Sequence, residues 1–217
     1  MTYTFAVGDI HGCVQQMNEL IEAIEFAASA GTIVFVGDYI DRGPDSRRVV
    51  ERLMAGPQRL GWRWIALKGN HEDMMVSACR VVGNPTMWLV NGGEETLLSY
   101  GGRIPDDVLD WADALPLYHQ DEHRIYVHAG IDETRPLSRQ SERILLWRRP
   151  AEGETGRYWG KHLVHGHTPS EDNPSTIGNR TNIDSACVFG GALTAAVFDD
   201  AVAGPPLSFL RVANRAA

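Results

Sequence analysis

Short runs of β-branched and aromatic residues alternate with segments of helical spacing along the first half of this chain. Each run ends just before a cluster of glycine and polar residues, and apolar positions recurring every three or four residues follow. The predicted strands are residues 3–7, 32–36 and 62–67, and the predicted helices are residues 14–24, 47–54 and 72–82. This alternation predicts a βαβ-type first half.

The middle of the chain interrupts this alternation. Residues 83–123 contain glycine pairs and three prolines, with one short helix predicted at residues 107–115. We interpret this segment as a helical and looped insertion beside the polar clusters that follow the strands, within a single domain that spans residues 1–217. Strand patterns return at residues 124–127, 162–164, 181–183, 192–198 and 207–212.

The composition excludes several classes of protein. The 217 residues, 43% of them hydrophobic, suffice for one good core. The formal net charge of −8 argues against nucleic acid as a partner, because such a surface needs a basic patch. We expect a cytoplasmic protein with no membrane partner, because no apolar run has membrane-spanning length and the N-terminus lacks a signal-peptide pattern.

Five polar strings contain the residues that could carry chemistry. They are GDIHG (residues 8–12), GDYIDRG (37–43), GNHE (69–72), HAG (128–130) and HGHT (165–168). Each string alone would be interpreted as a turn, whereas all five together favour a metal site. Their carboxylate, amide and imidazole donors, without thiolate, favour manganese, iron or zinc over soft metals.

These strings, in this order, resemble the phosphoprotein phosphatase family of the calcineurin-like metallophosphoesterase superfamily. The bacterial and bacteriophage lambda-type serine/threonine protein phosphatases are the most similar group. The stretch WLVNGGEET at residues 88–96 also resembles that group, and the match extends from near the N-terminus to residue 187. The resemblance implies an α/β (α+β) calcineurin-like fold, with two packed β-sheets flanked by helices and a dinuclear metal site at the C-terminal strand edges.

The resemblance also implies two divalent metal ions, with manganese expected and iron or zinc possible. The ligands implied are Asp9, His11, Asp38, Asn70, His128 and His167. Asp38 matches the carboxylate that bridges both ions. In the last string His165 is an alternative ligand to His167, since both side chains would share one face of an extended segment.

Four further residues receive roles from the resemblance. His71 would protonate the departing group, and Asp41 would orient the His71 ring by a hydrogen bond. Arg42 would bind the phosphate oxygens through its planar guanidinium. A second phosphate-binding arginine is assigned to Arg149, with Arg148 as the alternative.

The implied function is hydrolysis of phosphomonoesters by direct attack of a metal-bridging hydroxide. Phosphoserine or phosphothreonine proteins are the leading substrate class, and small phosphoesters are a further one. The alternative is a symmetric dinucleoside-tetraphosphate (diadenosine tetraphosphate) hydrolase, whose members typically lack the aspartate that matches Asp41. A non-catalytic phosphoprotein-binding module is the second alternative, and the complete set of candidate ligands disfavours it. The oligomeric state is not indicated by the sequence.

Overall fold

A computed structural model describes residues 2–80, 85–151 and 153–214 of the chain. The strands are β1 (Tyr3–Val7), β2 (Gly31–Phe35), β3 (Trp62–Ala66), β4 (Tyr118–Gln120), β5 (Arg124–Val127), β6 (His162–His165), β7 (Ser175–Ile177), β8 (Arg180–Asn182), β9 (Ala192–Asp199) and β10 (Ser208–Ala213). The α-helices are α1 (Val14–Ala27), α2 (Ser46–Ala55), α3 (Asn70–Arg80), α4 (Thr86–Trp88), α5 (Glu94–Ser99), α6 (Asp106–Ala114) and α7 (Glu142–Trp147). A π-helical turn, Leu89–Gly93, joins α4 to α5.

The strands form two five-stranded sheets. The first has the order β10-β9-β1-β2-β3, and the second has the order β4-β5-β6-β8-β7. Strands β1, β2 and β3 are parallel to one another, as are β5, β6 and β8. Because the carboxyl ends of parallel strands meet at one edge of a sheet, each sheet brings three loops together there.

Apolar side chains pack on both faces of the first sheet. Along β1, Phe5 and Val7 join the cluster under the helices, whereas Ala6 joins a cluster between the two sheets. That inner cluster also contains Val34 of β2 and Val164 of β6, both fully buried. Burial on both faces explains why these strands are continuous apolar runs in the sequence rather than alternating ones.

The predicted strands and helices of the first half are confirmed, and the bounds that the structure describes differ from the predicted ones by at most three residues. The end of the predicted helix 72–82 and the start of the predicted insertion 83–123 fall on residues 81–84, outside the described residues. The remainder of that insertion contains α4, α5, α6 and β4. Among the described residues, no helix combines the length and apolar composition that crossing a bilayer requires.

Candidate active site

The strand-end loops bring the predicted site residues to one cavity of about 380 Å³. The loops after β1, β2 and β3 contribute from the first sheet, and the loops after β5 and β6 contribute from the second. The predicted residues that line the cavity are Asp9, Asp38, Arg42, Asn70, His71, Arg149 and His167. His11, Asp41 and His128 are buried and contact these residues.

Four of the predicted ligands surround one point on the second-sheet side of the cavity. Nε2 of His128 lies 2.8 Å from Oδ1 of Asn70 and 3.2 Å from Nδ1 of His167. Nδ1 of His167 lies 2.9 Å from the same Asn70 oxygen, and Oδ2 of Asp38 lies 3.4 Å from Nε2 of His128. Ligand atoms bound to one first-row ion at about 2.0–2.2 Å are about 3 Å apart, so these four donors fit one ion.

A second point lies beside His11. Nε2 of His11 lies 3.6 Å from Oδ2 of Asp38, the same oxygen that faces His128. Asp38 therefore lies between the two groups of donors, where a bridging carboxylate is needed. The carboxylate of Asp9 accepts the backbone N–H of His167 at 3.0 Å. Nη1 of Arg42 donates to Nε2 of His11 at 2.6 Å, so a cationic group already lies at this second point.

Backbone carbonyls orient two of the histidine rings. Nδ1 of His11 donates to the carbonyl oxygen of Ile40 at 2.7 Å, and Nδ1 of His128 donates to that of Val36 at 3.0 Å. Because Nδ1 carries the proton in each ring, the lone pair of Nε2 points towards the cavity. This is the tautomer that a metal-binding histidine requires.

The buried carboxylates of the cavity need positive charge near them. Burial and the neighbouring carboxylates of Asp184 and Asp38 raise the pKa of Asp9 well above its ordinary value. Burial raises the pKa of Asp184 to about 6 and, with repulsion from Asp38, the pKa of Glu72 to about 7. Divalent cations would remove this repulsion. The donor set and the charge therefore both fit two divalent ions, without selecting among manganese, iron and zinc.

The backbone is strained at the site. The left-handed residues there are His11 (φ 44°), Asp38 (φ 55°), Asp41 (φ 73°), Arg42 (φ 68°) and His167 (φ 63°). Each such residue costs on the order of 1 kcal/mol, although aspartate and histidine tolerate this conformation better than most residues do. A simple surface turn would use glycine or asparagine here, so the strain supports functional side chains at these positions.

His71 and Asp41 form a buried pair. Nδ1 of His71 donates to Oδ2 of Asp41 at 2.6 Å, and Nη2 of Arg42 donates to Nε2 of His71 at 2.9 Å. Nε1 of Trp88 donates to both oxygens of Asp41 at 3.0 Å, and Oγ1 of Thr96 donates to Oδ1 at 2.6 Å. Residues at the two ends of the Thr86–Ser99 helical segment thus fix Asp41, which in turn fixes the ring of His71.

The structure places His167 rather than His165 among the candidate ligands. Nδ1 of His165 lies 3.0 Å from the carbonyl oxygen of Gly166, and Nη1 of Arg180 donates to its Nε2 at 3.3 Å. Burial lowers the pKa of His165 to about 4, so the ring is neutral at neutral pH. Gly166 allows the two strand-end loops to meet, because a Cβ at this position would overlap Oδ1 of Asp9.

The two neighbouring arginines have different surroundings. Arg148 donates through Nη2 to both carboxylate oxygens of Glu154 at 2.9 Å and through Nη1 to the carbonyl oxygen of Ile131 at 2.8 Å. Arg149 instead lines the cavity. Arg149 therefore stays the predicted second phosphate-binding arginine, whereas the guanidinium of Arg148 is engaged by Glu154 and Ile131.

We expect Arg149→Ala to raise KM for the substrate about tenfold or more, because a charge-assisted contact to phosphate contributes about 1.5–3 kcal/mol. Arg148→Ala is the matched control. It should lower the melting temperature, since it removes a half-buried ion pair, and change KM little. Steady-state kinetics and thermal unfolding of both variants provide the check, and the reverse pattern would transfer the role to Arg148.

Besides Pro169, four residues that line the cavity were not predicted as site residues. They are Asp184, Asn91, Trp147 and Phe189. Asp184 follows β8 as Asp9 follows β1, so its position after a predicted strand was an available signal. The other three belong to short helical segments or turns, where strand ends give no guide.

Several known proteins share this sequence pattern and this fold. The family model described as calcineurin-like phosphoesterase matches residues 4–196. The asymmetrical bis(5'-nucleosyl)-tetraphosphatase PrpE of Bacillus anthracis is 30% identical over an alignment of 228 positions, which covers 87% of each chain. The activity in this name is closer to the predicted alternative, dinucleoside-tetraphosphate hydrolysis, than to the protein phosphatase activity that was predicted first. The predicted alternative was, however, a symmetric hydrolase.

Solved structures show the same architecture. One that is provisionally described as a diadenosine tetraphosphatase has a TM-score of 0.72 at 26% identity, covering 100% of this chain and 95% of that chain. A protein serine/threonine phosphatase from Saccharomyces cerevisiae, 18% identical, shares the fold with a TM-score of 0.68 and covers 100% and 80% of the two chains. Since the family model matches most of its length, the chain is a hydrolase that belongs to the calcineurin-like phosphoesterase family.

Proposed function

We propose that this protein hydrolyses bis(5'-nucleosyl) tetraphosphates at a two-metal centre. The observation that carries the reaction class is the convergence of two groups of metal donors and two guanidinium groups, Arg42 and Arg149, on one cavity. Such a cavity binds phosphate and places positive charge around a phosphorus atom. The names of the similar proteins support the dinucleotide as substrate.

The protein groups have distinct tasks in this reaction. Two divalent ions, when bound, would clamp the phosphoryl oxygens and lower the pKa of the water that attacks phosphorus. Arg42 would turn its two donor nitrogens from His11 and His71 to two phosphate oxygens, which match its planar fork. Once Arg42 has turned away, Nε2 of His71 is free to take a proton and would give it to the departing oxygen, while Asp41 holds the ring at Nδ1.

Hydrolysis of phosphoserine or phosphothreonine is the second candidate function, and the buried His71–Asp41 pair favours it. An alkoxide is a much stronger base than the phosphate of a departing nucleotide. Ester hydrolysis therefore gains more from an oriented proton donor than anhydride hydrolysis does. The site has the groups that both substrates need, so the two functions differ in rate rather than in machinery.

The two candidates are separated by initial rates on diadenosine tetraphosphate and on a phosphoserine peptide, each with Mn²⁺, Fe²⁺ or Zn²⁺. We expect kcat/KM to be at least about tenfold higher for the dinucleotide, a difference of about 1.4 kcal/mol in transition-state binding. A chelator should abolish turnover of both substrates, and added metal should restore it.

Chromatography of the products identifies the bond that is cleaved. ATP plus AMP would indicate asymmetrical cleavage, and two ADP molecules would indicate symmetrical cleavage. Faster turnover of the peptide would replace the leading proposal by the second candidate. No turnover of either substrate with any of the three metals would refute both.

A further inference from the structure

Two aromatic side chains remain exposed in the wall of the catalytic cavity. Trp147 is 38% exposed and Phe189 is 58% exposed, and both line the cavity beside the candidate metal ligands. The reaction proposed above gives neither ring a task. Their flat apolar faces need a partner that can cover them, and phosphate cannot do so.

The two rings lie beside different groups of metal donors. The ring centroid of Trp147 lies 6.1 Å from that of His167, with an interplanar angle of 82°, which places it beside the second-sheet donors. Phe189 lies beside the other group, because Cζ of Arg42 is 5.5 Å from its ring centroid and Arg42 donates to His11. A phosphate held between the two groups of donors would thus have one aromatic ring near each group.

Local structure fixes the backbone at both residues. Trp147 ends α7, and the next residue, Arg148, is anchored by its ion pair with Glu154. Phe189 ends a 3₁₀ turn whose flanking residues, Ala186 and Gly190, both have left-handed backbones. An aromatic ring on an anchored backbone has only two χ angles to order, so it loses little conformational entropy when a flat ligand group stacks on it.

We propose that Trp147 and Phe189 are the base-stacking residues of this site, one for each nucleoside of a dinucleoside polyphosphate. The inference rests on the proposed function, because a substrate with a nucleoside at each end uses both rings. Stacking tolerates any base, since every base has a π-face. We therefore expect adenine, guanine and pyrimidine dinucleotides all to be accepted. A phosphoserine peptide has no flat group that is fixed on both sides of its phosphate.

The test compares ligands with and without a base on the metal-loaded enzyme. Diadenosine tetraphosphate is the substrate, and AMP and inorganic phosphate are the two competitive inhibitors. We expect Trp147→Ala and Phe189→Ala each to raise KM about 5- to 100-fold, the range found when one base-stacking aromatic side chain is removed. The inhibition constant of AMP should rise in at least one of the two variants, whereas that of inorganic phosphate should stay within about twofold in both.

Conservative variants separate stacking from folding. Trp147→Phe and Phe189→Tyr keep a flat ring, so KM should stay near the wild-type value in both. In the alanine variants, by contrast, KM should rise. Unchanged KM in both alanine variants would overturn the inference, as would an equal loss of AMP and phosphate inhibition, which indicates a general disturbance of the site.

The wild-type enzyme tests the proposed function separately. If it turns over phosphopeptide and not the dinucleotide, both proposals fail, whereas failure of the variants alone removes only the stacking residues.

Discussion

Asp38→Asn protein will contain neither metal ion in stoichiometric amount and will lose at least about 10³-fold in kcat/KM, because each bound ion contributes several kcal/mol of charge stabilisation. Oδ2 of Asp38 lies 3.6 Å from Nε2 of His11 and 3.4 Å from Nε2 of His128, so one oxygen faces both groups of donors. Asparagine has the same shape but no negative charge. Without that charge between them, the two ions would repel each other more strongly and both sites would weaken.

Elemental analysis of the purified protein, in moles of metal per mole of chain, provides the measurement. Asp184→Asn is the matched control, because it removes one carboxylate charge from the same cavity at a residue outside both groups of donors. We expect this control to keep both ions. Circular dichroism should show that both variants fold. Two equivalents of metal in Asp38→Asn would exclude the bridging role.

The side chains of the motifs meet in one cavity because they follow the ends of parallel strands. Asp9 follows β1, Asp38 follows β2 and Asn70 follows β3, so recognising the strands was sufficient to expect these side chains at one edge. The same reasoning applies to His128 after β5 and His167 after β6. The first-half strands were detectable because burial on both faces gives a continuous apolar run.

Other features depend on contacts between distant parts of the chain. Trp88 and Thr96 lie 47 and 55 residues from Asp41 along the sequence, and only the folded chain shows that both donate to its carboxylate. The choice of Arg149 over Arg148 likewise depends on Glu154, which pairs with Arg148. Strands β4 and β7 were not predicted, because these three-residue edge strands, YHQ and STI, contain no run of apolar residues.

The second large effect concerns the proton donor. His71→Asn should keep both metal ions and lower turnover by an amount that depends on the leaving group. Nε2 of His71 lies 3.8 Å from Oδ2 of Asp38, within the cavity, while Nδ1 is engaged by Asp41. Loss of a general acid costs about 10²- to 10⁴-fold when the departing oxygen is strongly basic. Phenyl phosphate should therefore lose much more rate than 4-nitrophenyl phosphate, whose leaving group needs little protonation.

Metal content separates the general-acid role of His71 from a role as a metal ligand. The second role is considered because ligand atoms of His11, Asp38 and His71 lie within 4.8 Å of one another and could share an ion. Two ions bound to His71→Asn, with a larger rate loss for phenyl phosphate, would establish His71 as the acid. A missing ion would make His71 a ligand. Intact metal with equal losses on both esters would leave it a positioning role only.

Asp41→Asn serves as the control, since it keeps the His71 imidazole and removes its charged partner. The loss of rate in Asp41→Asn should depend on the leaving group in the same way as in His71→Asn. It should be smaller, because the imidazole can still protonate the leaving group although it is held less firmly.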